Sequence, residues 1–173
     1  TASPDDAVDA GKLFLIDDGR VRKLSRAVTS KTTVAAAEPA ALRKIKMTAA
    51  IDLIRYYAMT TVEDAYLGKC ANSYDNKCIL LTALRDYLGT LESSGVLKSG
   101  SSGARLDADA ARTYLVKQAS EAGNADEVNR LRALSDEAVV KEDTGSYVFL
   151  NLYGWVLDAM EDFNIVFEVT DAV

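Results

Sequence analysis

Residues 66–97 read YLGKCANSYDNKCILLTALRDYLGTLESSGVL, and within them Leu80, Leu84, Leu88 and Leu91 recur at intervals of four, four and three. Side chains at these intervals stack on one face of an α-helix, so the stretch predicts an amphipathic helix whose leucine stripe the rest of the chain must cover. Asn76 is the expected N-cap, because its side-chain oxygen can take an orphan backbone N–H. Leu81 and Tyr87 widen the apolar face, Arg85, Asp86 and Glu92 lie mostly off it, and Gly95 supplies the left-handed residue that ends the helix. Ile51, Ile54, Ala58, Val62 and Ala65 form a second stripe, predicting a preceding helix capped by Thr48 and ending near Gly68. The seam between the two helices is the expected core.

The remaining segments are shorter. Residues 1–10 are small and polar and read as an arm or linker. Residues 13–16 and 21–24 flank Asp17-Asp18-Gly19-Arg20, whose Asp and Gly suit a hairpin turn. Residues 29–33 and 35–37 predict a loop or short strand. Pro39 suits a first helical turn, yet Arg43 to Met47 alternates like a strand, leaving that boundary open. KSGSSG at 98–103 predicts a flexible loop. Asp107 is the expected cap of a helix to about Glu121, with further short helices over 126–134 and from Ser135. Residues 147–156 read as a strand buried on both faces. Phe163, Ile165, Phe167 and Val169 alternate with Asn164, Val166, Glu168 and Thr170 as a final strand. The fold class is therefore α+β: a small, mostly antiparallel sheet packed against three to four helices. Residues 1–10 form an arm, 11–162 the core and 163–173 a carboxy-terminal strand or arm.

Charge and composition narrow the function. Of 173 residues, 49% are hydrophobic and 27% charged, enough for a buried core, and no apolar run of membrane-spanning length or signal peptide is present. No membrane partner is expected. Residues 1–46 hold nine Lys or Arg against six Asp or Glu, while residues 134–173 hold one against nine, giving +3 and −8 within a net −6. That asymmetry permits head-to-tail attraction between copies, although solvated faces alone also explain it. Arg20, Arg22, Lys23 and Arg26 lack interleaved aromatics, which argues against nucleic acid as a partner. Cys70 and Cys78 have no companion pair and the chain has no histidine, so the thiols read as reduced and structural and no metal site is expected.

Catalytic patterns are missing as well. The lack of histidine removes the usual triads, no G-x-S-x-G occurs, and Gly68, Gly89 and Gly95 do not make a phosphate loop. Asp107-Ala-Asp109 opens like a calcium loop but lacks the sixth-position glycine, so helix capping is the better reading. Asp5-Asp6 and Asp17-Asp18 suit solubility and turn roles. Tyr56, Tyr57, Tyr66, Tyr74 and Trp155 fit either an aromatic core or subunit contact better than a ligand pocket. The chain reads as no enzyme, with no cofactor.

Taken in order, Tyr66-Leu67-Gly68-Lys69, Tyr74-Asp75-Asn76-Lys77 and Gly95-Val96-Leu97 resemble the carboxy-terminal domain of tail sheath proteins from contractile-tailed phages and phage-tail-like bacteriocins (tailocins), in the branch common in Gram-positive hosts. There the pattern is Y-[IL]-G-K, then Y-D-N-K, then a helix ending near D/S-G-V-L. Lys44-Ile45-Lys46-Met47 before Ala50-Ile51-Asp52-Leu53-Ile54 agrees with it, as do Thr144-Gly145-Ser146 and Leu157-Asp158-Ala159-Met160-Glu161-Asp162-Phe163. These pieces cover most of the chain from about Gly11 onward; their specificity lies in the ordered set.

The resemblance implies a virion structural protein that polymerises helically around a tail tube and contracts by subunit rearrangement. Its implied partners are other sheath subunits, the tube protein and the baseplate, with assembly in the host cytoplasm and residence in the virion tail. In that family, terminal strands from neighbouring subunits join the sheet of a third, which makes Phe163, Ile165, Phe167 and Val169, with Glu161 and Asp162, the expected subunit interface. The other outcome is that residues 163–169 complete a sheet within their own chain. A missing initiator methionine suggests a fragment or processed chain, in which case the family's amino-terminal portion and outward-facing domain lie elsewhere. The rival reading is a ligand-binding or regulatory α+β domain of a cytoplasmic protein.

Overall fold

The computed structural model describes residues 4–17, 19–35 and 40–167. Six helices and two antiparallel two-stranded sheets occur among them, an α+β arrangement with the strands split between two sheets. The chain divides into two compact units. One comprises the first 52 residues with residue 158 onward, and the other is Leu53–Leu157.

In the first unit, α1 (Pro4–Asp9) stands where the sequence predicts an arm. Proline's fixed φ suits a first helical turn, and Asp5 and Asp6 sit where the helix dipole favours negative charge. Strands β1 (Leu15–Asp17) and β2 (Arg22–Leu24) form the expected hairpin, pairing Leu15 with Leu24. Gly19 has φ +79°, and its N–H donates to Asp17 Oδ1 at 3.0 Å. Residues 40–43 form a turn of 3-10 helix leading into α2 (Ile45–Ala65), so the strand-like alternation at Arg43 to Met47 is overridden. Only Val28 and Lys44 make a β-bridge there. Thr48 does not cap α2; it lies inside the helix and donates its hydroxyl to the Ile45 carbonyl at 2.9 Å. The expected turn at Pro39 lies outside the described residues.

The second unit is organised by α3 (Tyr74–Ser93). Its N-cap is Ser73 rather than Asn76: the Ser73 hydroxyl accepts the Asn76 N–H at 3.2 Å, while the Asn76 side chain donates to the Ala71 carbonyl at 2.9 Å. The leucine stripe is buried as expected. Leu80, Leu81, Leu84 and Ala104 pack with Ala58 and Val62 of α2, with Tyr66 just beyond its end, and with Leu106, Leu150 and Leu152. Leu88, Leu91 and Leu97 pack with Ile54, Tyr87, Val96, Leu152 and Val156. Gly95 (φ +73°) releases the chain from the helix. The apolar stripe of α2 is covered only in part, because Ile51 and Ala65 are exposed.

The 98–103 loop differs from expectation. One carboxylate, Glu92, accepts the backbone N–H groups of Gly100 (2.8 Å), Ser101 (3.2 Å) and Ser102 (2.8 Å) and the Ser102 hydroxyl (2.6 Å), so the serine- and glycine-rich stretch is a pinned turn. These bonds hold the Glu92 carboxyl below its usual pKa, the Ser102 hydroxyl contributing most. Beyond the turn, β3 (Gly103–Leu106), too short to show a period, pairs antiparallel with β4 (Leu150–Tyr153). Asp107 caps α4 (Ala108–Glu121), accepting the Ala110 N–H at 2.9 Å, and Asn124 caps α5 (Ala125–Ala133), accepting the Glu127 N–H at 3.1 Å. In α6 (Asp136–Val139) the buried residue is Val139. Arg112 ties α4 to the start of α6 through the Leu134 carbonyl (2.9 Å) and Asp136 (2.5 Å).

Residues 147–156 are a strand only over Leu150–Tyr153, and Tyr147 and Trp155 are exposed rather than buried. The Tyr147 carbonyl accepts the Thr144 hydroxyl at 2.5 Å and Asn72 Nδ2 at 3.0 Å, which fixes a turn where the β pattern predicts extended pairing. No helix among the described residues is long and apolar enough to cross a membrane.

Candidate assembly interface

The acidic connector before residue 163 is anchored within its own unit. Lys44 Nζ donates to Asp158 at 2.6 Å and to Glu161 at 2.9 Å, and Arg26 pairs with Asp162. The two hydrogen bonds raise the Lys44 pKa, Asp158 contributing most, and the same contact with Lys44 lowers that of Asp158. Glu161 and Asp162 thus have partners in their own chain, and these pairs fix the point from which the following segment departs.

Beyond that point the side chains stand in solvent. Phe163 is 71% exposed, Ile165 84%, Val166 74% and Phe167 86%, with no strand or helix across residues 163–167. The strand predicted for 163–169 is therefore not formed in its described part, and Val169 lies outside the described residues. The reason is physical: extended backbone gains its hydrogen bonds only from a neighbouring strand, and among the described residues none pairs with this one. Val166 and Met160, 87% exposed, extend the apolar patch beyond the residues that alternation picks out.

A complementary feature lies in the second unit. The Asp107 N–H donates to the Phe149 carbonyl at 3.0 Å, in register with Arg105 opposite Asn151 and Gly103 opposite Tyr153. These are the pairs that exchange backbone bonds, so the N–H and C=O groups of Ala104 and Leu106 on β3 and of Leu150 and Leu152 on β4 point outward. Arg85 Nε donates to the Ala104 carbonyl at 2.8 Å and thereby blocks part of the β3 edge. The outward groups of Leu150 and Leu152 have no partner among the described residues. Among the described residues β4 is an open edge, which hydrophobic periodicity could not reveal because edge position depends on pairing.

Of the five aromatic residues singled out in the sequence, four are not part of the core. Tyr56, Tyr57, Tyr74 and Trp155 are exposed; Tyr57 stacks on Tyr87 with centroids 3.6 Å apart, and Lys98 lies over Trp155. Tyr66 is half-buried against the leucine stripe. An open cavity of about 620 Å³ is lined by Tyr74, Cys78, Arg85, Arg105, Asp109 and Glu137, among others. Its arginines are engaged, Arg85 with the Ala104 carbonyl and Arg105 over the Tyr153 ring. Both cysteines are free thiols.

No protein-family model matches the chain. It is, however, 32% identical over 165 residues, 95% of its length, to the tail sheath protein of Clostridium phage phiCD119 (strain Clostridium difficile/United States/Govind/2006). The aligned region is 43% of that relative, so the chain spans less than half of the curated protein it matches. Similarity across nearly every element described above, in agreement with the ordered motifs between Tyr66 and Leu97, makes the chain a homologue of phage tail sheath protein.

Proposed function

We propose that this chain is a structural, non-enzymatic part of a contractile phage tail sheath, polymerising helically around a tail tube. Homology to a sheath protein supports this reading. The observation that carries it is the coexistence in one chain of an apolar segment with no strand partner and a sheet edge whose outward backbone groups have no protein partner, both among the described residues. Each is costly alone and each relieves the other when the segment of one copy adds to the β4 edge of the next. Such contacts are heterologous and non-closing, which generates helical lattices. On contraction, subunits would rotate and slide while the exchanged strands keep them linked. The partners would be further sheath subunits, the tube protein and the baseplate, with assembly in the host cytoplasm and residence in the virion tail.

Electron microscopy of the purified protein at high concentration, with and without residues after Asp162, tests the reading. Tubes or helical fragments that vanish on truncation, with helical circular dichroism unchanged, are expected. Tubes that survive truncation contradict strand addition. The second reading, a ligand-binding domain, is favoured by an apolar cavity containing Lys77; persistent monomers with saturable uptake of a small carboxylate would support it instead.

A further inference from the structure

A cavity of about 590 Å³ opens between the end of α2, the start of α3 and the 145–150 stretch, with Val62, Tyr66, Leu80, Val148 and Leu150 among its apolar walls. Of its lining residues only Lys77 is ionised at neutral pH, and no carboxylate lines it. Lys77 is 7% exposed, and its ammonium has neither a hydrogen-bond acceptor nor an ion-pair partner among the described residues. Burial lowers its pKa, against a weaker opposing pull from Asp143. The first turn of α3 adds the positive end of a helix dipole to the same place. On the same wall Asn72 Nδ2 holds the turn through the Gly145 carbonyl at 2.6 Å, while its Oδ1 is buried without a partner. The Lys77 side chain is largely withdrawn from water and its ammonium is unpaired, and the group that complements such a site is an anion carried on an apolar body.

The chain contains a segment of that chemistry. In residues 163–173 the odd positions read Phe163, Ile165, Phe167, Val169, Asp171 and Val173, an apolar row with a single carboxylate near its end. Glu168 falls on the opposite face of an extended strand. On β4 the even residues Leu150 and Leu152 face the core, and Leu150 also lines the cavity, so a strand added at this edge lays one of its faces over the cavity mouth. Val169 and Asp171 are about 7 Å apart along such a strand, a spacing that puts an apolar side chain and a carboxylate into one cavity of this size. The amino-terminal residues, net +3, have the wrong sign for it.

We propose that the Lys77 cavity receives the carboxy-terminal segment of a second copy, with Asp171 on Lys77 and Val169 against the apolar walls. This rests on the strand-addition reading above and adds to it the residue that sets register: a strand slipped by one residue would put Thr170 or Ala172 opposite Lys77, turn Glu168 towards the apolar walls and lose the apolar row.

The test is binding of a fluorescein-labelled peptide of residues 163–173 to the 173-residue protein, read by fluorescence anisotropy. Saturable binding is expected, weakened at least about tenfold by Lys77→Met in the protein or by Asp171→Asn in the peptide, and left within about twofold by Glu168→Gln. Combining Lys77→Met with Asp171→Asn should weaken binding no further than either alone, as for two halves of one contact. The peptide substitutions keep the test valid even if Lys77→Met disturbs folding. Binding that ignores both Lys77→Met and Asp171→Asn overturns the cavity assignment while strand addition stands. Binding lost with Glu168→Gln but kept with Asp171→Asn overturns the register. No binding by the unsubstituted peptide overturns both readings, and Lys77-dependent binding of a peptide of residues 12–26 overturns the choice of occupant.

Discussion

Replacing Leu84 by Ala probes the seam on which the second unit depends. Leu84 is 1% exposed and packs with Leu80, Leu81 and Ala104, so the substitution strands a hole that α2, α3 and the β3–β4 sheet share. Three carbon groups leave the core. At roughly 0.8 kcal/mol each, the transfer loss is about 2.4 kcal/mol. The residual cavity raises this towards about 3 to 4 kcal/mol, inside the range of about 2 to 5 observed for buried leucines. Urea unfolding followed by circular dichroism at 222 nm reads the change. With a slope of about 2 kcal/mol/M, the midpoint should fall by about 1.5 to 2 M. Ile79, 58% exposed on the same helix, provides the control, and Ile79→Ala should stay within about 0.5 kcal/mol of the parent. A Leu84→Ala loss below about 1 kcal/mol, or one equal to that of Ile79→Ala, would show that the leucine stripe is not the core and refute the packing described above.

Further perturbations address the local devices. Glu92→Gln should speed amide hydrogen exchange at Gly100, Ser101 and Ser102; unchanged rates would mean that the turn holds without the carboxylate. Because Glu92 has a lowered pKa when folded, its contribution is present above the ordinary carboxyl value and is lost as pH falls through the folded one, so the same amides should lose protection on acidification. Gly95→Ala should cost about 1 to 2 kcal/mol from backbone strain at φ +73° alone, since an added Cβ meets open space; a neutral result in the urea assay would contradict the left-handed helix end. Lys44→Met should release Asp158 and Glu161, seen as faster exchange at the Ala159 amide. With Lys44 raised and Asp158 lowered, that tether persists at intermediate pH, weakening as pH rises through the folded Lys44 value or falls through that of Asp158.

Periodicity made the helices legible. The leucine stripe of α3, the Asp107 cap, the hairpin around Gly19 and the stop at Gly95 all follow from side-chain spacing and φ preferences that act within a few residues. What the sequence hid depends on which of several available partners a polar side chain takes. Ser73 caps α3 because Asn76 is engaged with Ala71, and the 98–103 loop is ordered because Glu92 happens to lie within reach of three successive amides. β3 was missed because four residues carry too little pattern. The same limit applies to the interface. Alternation marked Phe163, Ile165 and Phe167 as a strand without saying whose sheet it needs, and the described structure leaves those side chains exposed. Lys77 was invisible as a special lysine, since withdrawal of its side chain from water is a property of the cavity around it.

The central claim is that the segment after Asp162 finds its sheet in another molecule. Photo-crosslinking with benzoyl-phenylalanine at Phe167, on assemblies grown from equal parts of light and nitrogen-15-labelled protein, tests it most directly. Mixed-label crosslinked peptides joining residue 167 to the 145–153 region are the expected product. Crosslinks that carry a single label throughout would show that the segment folds back on its own chain, and would contradict the account.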